Sequence, residues 1–145
     1  MLDLHLAIAH HLVIFCVFGV VAAELFSLRP GMTARDTHRL ARIDLGYGIF
    51  AGLTLIVGFA RASLAAKGWD YYAHNAYFWS KIGTFAIIGL LSVPPTVVYV
   101  RCRRAGTTLT GEQVGSLRLF LWAEVVLFAP LLGFAAAMAR GYGQY

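Results

Sequence analysis

Four long apolar runs alternate with short polar links along the chain, covering residues 4–28, 40–64, 78–100 and 117–139. Crossing a hydrocarbon core of roughly 30 Å takes about 20 apolar residues in helical form, because lipid offers no partner to an unpaired backbone amide. Each run meets that length, and the pattern predicts an all-α integral membrane four-helix bundle forming a single domain over residues 1–145. The short links make neighbouring helices antiparallel. Two links carry helix-start chemistry, Thr33-Ala-Arg-Asp36 and Thr110-Gly-Glu-Gln113, where a hydroxyl can take up an orphan amide. The second and fourth helices should therefore begin before the apolar run does. The link from Ser63 to Tyr77, with Trp69, Tyr71, Tyr72 and Tyr77 and with Trp79 just beyond, has the aromatic character of a headgroup-level segment. The first run has Asp3 and His5 in place of a basic leader and exceeds the apolar length of a signal peptide, so it is expected to stay as a span.

Polar positions inside the runs fall into seams. At about 100 degrees per residue, His10 and Glu24 lie within about 40 degrees of each other on a stripe shared with Asp3 and Val17, whereas His11 points elsewhere. The second run aligns Asp44, Tyr47, Thr54, Gly58 and Arg61, and the third aligns Lys81, Thr84, Ser92 and Tyr99. Charges at membrane depth usually face the interior and pair. Glu24, Arg42, Asp44, Arg118 and Glu124 are accordingly expected to form a structural ion-pair cluster, with proton conduction as the sharper alternative. Gly48 and Gly52 make a small-residue step suited to close helix packing.

Composition agrees with this reading. Of 145 residues, 59% are hydrophobic and 13% charged, against roughly 25% charged in soluble domains, and the mean hydropathy is +0.70. The net charge of +5 is spread between apolar runs rather than over one polar face, which argues for topology and against nucleic acid. Arg29, Arg35, Arg39, Arg42, Arg101, Arg103, Arg104 and Arg118 flank the first and third links, leaving Arg61, Lys67, Lys81 and Arg140 for the opposite side. The positive-inside rule then predicts both termini outside, in the periplasm if the bilayer is a bacterial inner membrane. Cys16 and Cys102 have no metal or disulfide spacing and are expected to be free thiols.

The outer side carries His5, His10, His11, Arg61, Lys67, His74, Lys81 and Arg140 with only Asp3 and Asp70 as acids, so an anionic ligand would satisfy it. His10 falls about 9 Å and Lys81 about 5 Å below the outer surface at 1.5 Å of rise per residue. An imidazole beneath a basic rim suits haem, which needs a nitrogen for iron and positive charge for its propionates. The expectation is a b-type haem or related tetrapyrrole, with His10 on the iron and Lys81, Arg61 and Arg140 around the ligand. Other readings stand beside it. His10 could make an interhelical hydrogen bond with no cofactor, or His5, His10, His11 and His74 could converge on copper. The protein could also be a non-enzymatic accessory or assembly subunit of a larger membrane complex, a homo-oligomer, or a transporter. The sequence has no nucleophile motif, phosphate loop or zinc motif, which disfavours hydrolase and nucleotide chemistry.

The strings Ala9-His10-His11-Leu12, Ala22-Ala23-Glu24-Leu25, Arg39-Leu-Ala-Arg42-Ile-Asp44, Phe78-Trp79-Ser-Lys81 and Leu91-Ser-Val-Pro-Pro-Thr96 together resemble a bacterial group of predicted inner-membrane proteins catalogued as a domain of unknown function. That resemblance spans nearly the whole chain and implies four helices. More distantly, the chain is similar to the membrane-integral protoporphyrinogen oxidases, four-helix haem proteins with a helix-1 histidine, an arginine-rich start to helix 2 and a Trp-x-x-Lys type start to helix 3. His10, the Arg39 to Arg42 stretch, and Trp79 with Lys81 occupy those places, although the Trp79-x-Lys81 spacing departs from the pattern. What this similarity implies is haem at His10 and, if the protein is an enzyme, a haem-dependent membrane oxidoreductase with Lys81 as the catalytic residue.

Overall fold

A computed structural model describes residues 2–64 and 67–145. Its elements are α1 (Leu2–Ser27), α2 (Ala34–Leu64), the short α3 (Gly68–Ala73), α4 (Ala76–Ala105) and α5 (Gly111–Ala139). The four long helices match the four apolar runs, and α2, α4 and α5 begin before them. Capping chemistry explains two of these early starts. Thr33 Oγ1 accepts from the Asp36 amide at 3.1 Å, while Asp36 Oδ2 accepts from the Thr33 amide at 3.1 Å. Thr110 and Gln113 repeat the reciprocal pair at 3.2 and 3.0 Å. Each pair satisfies two amides that the first turn of a helix leaves without partners. Thr110→Ala is expected to destabilise the bundle by about 1 kcal/mol, read as a lower thermal midpoint in detergent. An unchanged midpoint would mean that the cap contributes nothing there.

Inside the aromatic link, α3 is a capstone. Trp69 sits between Phe59 of α2, tilted to its ring, and Phe78 of α4, edge to face, with ring centroids at 6.4 and 6.1 Å. The Ser63–Tyr77 link therefore contains a helical turn, although residues 65 and 66 lie outside the described residues. Helices α1 and α2 pack as one hairpin and α4 and α5 as another, and α2 against α4 and α1 against α5 close the ring. Val17, Val21, Leu25, Leu40, Ile88, Tyr99, Leu121 and Phe128 form the central core.

Both termini meet at one end of the bundle. Asp3 lies 3.8 Å from the Arg61 guanidinium near the end of α2. The C-terminal tail folds back over the start of α4, where the Gly143 carbonyl accepts from the Ala76 amide at 2.8 Å and the Tyr145 amide donates to the His74 carbonyl at 3.2 Å. Gly143 holds this turn with φ at +84, and a Cβ there would come within 2.5 Å of the Tyr77 ring.

The surface identifies the solvent. Phe26, Leu119, Leu90, Ile56 and Phe15 are 85, 72, 71, 68 and 66% exposed, and only 11 to 22% of the most apolar stretch of each long helix is buried within the bundle. In water such a surface would drive aggregation, whereas lipid tails make it the favourable one. The chain is thus a multi-pass membrane protein in contact with the bilayer. The Gly48–Gly52 step does not join two of these helices. It lies on the exposed face of α2, and nothing approaches within 4 Å of either missing Cβ. Cys16 is exposed and Cys102 buried, and both are free.

Candidate functional site

Polar side chains at membrane depth collect at two levels. The first is at the terminal end, where His10 of α1, Arg61 of α2 and Lys81 of α4 line a common opening. Gly58 makes the arrangement possible. Its missing side chain admits the imidazole, and a Cβ there would sit 3.1 Å from His10 Cε1. Thr54, one turn earlier, turns its hydroxyl back to the Phe50 carbonyl at 2.8 Å. His10 Nδ1 is consequently buried with no partner meeting hydrogen-bond geometry, although the Thr54 backbone lies beside the ring. A ring nitrogen in that state is unusual enough to call for an explanation.

Two spaces join at this imidazole. An apolar slot of about 40 Å³ runs between Leu55, Phe59, Phe78 and Phe85, and a wider polar space of about 250 Å³ rises toward Arg61, Lys67 and Tyr71. The Lys67 ammonium lies 4.3 Å from the Tyr71 ring centroid and donates to its hydroxyl at 3.1 Å. Lys81 Nζ stands 5.6 Å from the Phe78 ring centroid, and no carboxylate pairs with it among the described residues. Among the described residues Asp3 is the one acid on the rim, and it already faces Arg61. The net character is cationic around an apolar slot. Such a site can hold an anionic group while burying an apolar body.

The structure sorts the residues expected here. His10, Lys81 and Arg61 come together. Arg140 does not: it caps the C-terminal end of α5 and is exposed outside both spaces. His11 is turned away, its Nδ1 donating to the Ala7 carbonyl at 2.6 Å, although its side chain borders the upper space. His74 is occupied by Asp70, with Nδ1 3.0 Å from the carbonyl and 3.4 Å from Oδ1. His5 is exposed. The convergence of His5, His10, His11 and His74 that a copper site would need is not formed, and among the described residues no group of three or more His, Cys, Asp or Glu side chains could hold a metal ion.

The second level lies about 21 Å away along α1 from His10, at the 1.5 Å rise of a helix. Here Glu24 of α1, Asp44 of α2 and Glu124 of α5 are 2, 6 and 1% exposed, close enough for their charges to interact. The ion-pair cluster expected at this level is corrected. Arg42 and Arg118 are exposed, and among the described residues neither makes an ion pair with these acids. Each lies in the third turn of its helix, from which a long side chain reaches the polar boundary at lower cost than the apolar interior. The Thr96 hydroxyl of α4 donates to Asp44 Oδ1 at 2.7 Å. Among the described residues, both Glu124 oxygens and the hydroxyls of Tyr47 and Tyr99 lack partners. Ser92 stands beside Tyr47 without completing that bond and donates to the Gly89 carbonyl at 2.8 Å.

A model of the family described as "Predicted membrane protein (DUF2214)" matches residues 2–143. The chain belongs to this family. No curated protein and no solved structure matches it. In this DUF2214 member, sequence reasoning placed Gly58, Tyr47 and Tyr99 on inward seams but gave them no part in a site. Gly58 is the contact that seats His10, and the tyrosines are orphaned donors beside the acids. Asn75 was missed altogether. It is completely buried, accepts from the Phe78 amide at 3.1 Å and donates to the Tyr142 carbonyl at 2.9 Å. Its place just before the third apolar run was the available signal, since asparagine is a favoured helix cap.

Proposed function

We propose that this protein binds a b-type haem or related tetrapyrrole at its terminal-end site, on the periplasmic half of a bacterial inner membrane. The observation that carries this reading is the His10 imidazole, held by its Nδ1 edge against Gly58 of α2, lining the same opening as Lys81 and Arg61. The donor set fits such a group: one imidazole for iron, and cations for carboxylates. The enclosed space is smaller than the roughly 300–1,000 Å³ of ordinary cofactor pockets. The slot also reaches the outer surface at Leu55 and Phe59, both 42% exposed, where an apolar ring is at home against lipid. Bound iron would supply one-electron chemistry. His10 would orient the group, Arg61 would hold its acidic edge, and Lys81 would be the candidate catalytic group for proton transfer in an oxidase of the protoporphyrinogen type. The eight arginines at the opposite end support the periplasmic placement.

The test is a reduced-minus-oxidised absorbance spectrum of protein purified in mild detergent from haem-replete cells. A Soret band retained through purification is expected, and a blank spectrum would overturn the reading. One observation favours a second reading, an accessory or oligomeric role. The exposed Gly48–Gly52 step on α2 is the kind of surface on which membrane helices associate. A blank spectrum with co-purification of a defined membrane complex would select it.

A further inference from the structure

We propose that Glu24, Asp44 and Glu124, together with the hydroxyls of Tyr47 and Tyr99, form a proton-binding site inside the bundle, at the level opposite the His10 site. All four long helices contribute to it: Glu24 from α1, Asp44 and Tyr47 from α2, Thr96 and Tyr99 from α4, and Glu124 from α5. Apolar neighbours, among them Val21, Leu25, Leu40 and Leu121, surround it. Three negative charges cannot share such a pocket without a compensating charge. The nearest arginines in sequence, Arg29, Arg42 and Arg118, are exposed, and among the described residues no Lys, Arg or His pairs with the trio. Neutralisation therefore comes from a bound cation or from protons. A metal cation needs several oxygens converging on one point, and among the described residues these side chains do not converge in that way. A proton needs one oxygen only. The arrangement suits protons.

The tyrosines are an independent sign of the same occupant. Tyr99 is 0% and Tyr47 5% exposed. Both hydroxyls lie within electrostatic reach of all three carboxyls, yet among the described residues the Tyr99 hydroxyl meets no hydrogen-bond partner and the Tyr47 hydroxyl has only Ser92 beside it, short of full hydrogen-bond geometry. Buried donors are normally satisfied. Donors held in reserve beside neutral acids have a use when a proton leaves, because each can then donate to the carboxylate left behind. Thr96 already donates to Asp44, which makes Asp44 the carboxyl best able to keep a charge. Glu24 and Glu124 hold the exchangeable protons. Val17, Ile88 and Phe128 are buried in the core between this level and His10, so the site does not depend on what binds at the terminal end.

Dicyclohexylcarbodiimide tests this directly in the intact protein in lipid. A protonated carboxyl adds across the diimide: the carboxyl oxygen bonds to the central carbon, the acid proton passes to nitrogen, and rearrangement leaves a stable N-acylurea. Peptide mass spectrometry should find the adduct on Glu24 or Glu124 near neutral pH, with the water-exposed Glu112 unlabelled. Glu124→Gln should lose the adduct at its own position. Tyr99→Phe should increase labelling several-fold at alkaline pH, because the anion loses its donor and protons are retained longer. Infrared spectra of the unmodified wild type give a readout that needs no variant, namely a carboxylic-acid carbonyl band that shifts in heavy water and fades as pH rises. Absence of both adduct and band would overturn the proposal. Protection from labelling by sodium or potassium at constant pH would also overturn it, in favour of a cation. An unchanged alkaline profile in Tyr99→Phe would refute the part given to tyrosine.

Discussion

His10→Ala is expected to abolish the Soret band completely, while His11→Ala leaves it nearly intact. The two residues are adjacent in sequence and differ in direction. His10 enters the opening with Arg61 and Lys81, and its Nδ1 is buried without a partner. His11 spends its Nδ1 on the Ala7 carbonyl one turn back. Of the two imidazoles only His10 borders the apolar slot, and His11 reaches no further than the rim of the polar space above it. Gly58→Leu should give the same loss with both histidines present. Even a Cβ at Gly58 would come within 3.1 Å of His10 Cε1, and the rest of a leucine side chain would push the ring from its seat. Overpacking of this kind costs about 1–3 kcal/mol, so the variant should still fold in detergent and separate loss of site geometry from loss of the bundle. Equal spectra for the two histidine variants would defeat the assignment.

Asn75→Ala is expected to be the most destabilising single change at the terminal end, by about 2–3 kcal/mol. Losing the cap on α4 accounts for about 1 kcal/mol. Losing the side chain's part-buried donation to the Tyr142 carbonyl adds about 1–2 kcal/mol. The consequence reaches further than one bond, because Asn75 fastens the C-terminal tail across the start of α4. Thermal unfolding in detergent should show the lower midpoint, and protease should clip the tail faster. Gly143→Ala should reproduce the faster clipping, since its Cβ collides with the Tyr77 ring. A normal midpoint and normal tail protection in Asn75→Ala would show that the strap is not a structural element.

The arginines show where sequence pattern loses its reach. Charge parity within the chain suggests that Glu24, Asp44 and Glu124 find Arg42 and Arg118. A helical position fixes direction about the axis and depth along it, but not how far a long side chain extends. Arg42 and Arg118 sit near helix ends and turn outward, while the short carboxyl side chains stay where the backbone puts them. Gly48 and Gly52 teach the same point. A small-residue step predicts closeness to some helix, and here no helix of this chain occupies that face.

Run length, hydropathy and the two capping boxes were enough to define four membrane-spanning helices and nearly to define where they begin, because lipid leaves a buried backbone no alternative to the helix. The inward seam of α2 was also legible, since Asp44, Tyr47, Thr54 and Gly58 do face the interior. Tertiary structure alone decided which polar groups meet. Only the closed bundle seats His10 against Gly58 beside Lys81, leaves the three acids without a cation, and ties Asn75 to the tail 67 residues away. Such contacts depend on how helices rotate and pack against one another, and the periodicity of a single helix carries no information about its partner.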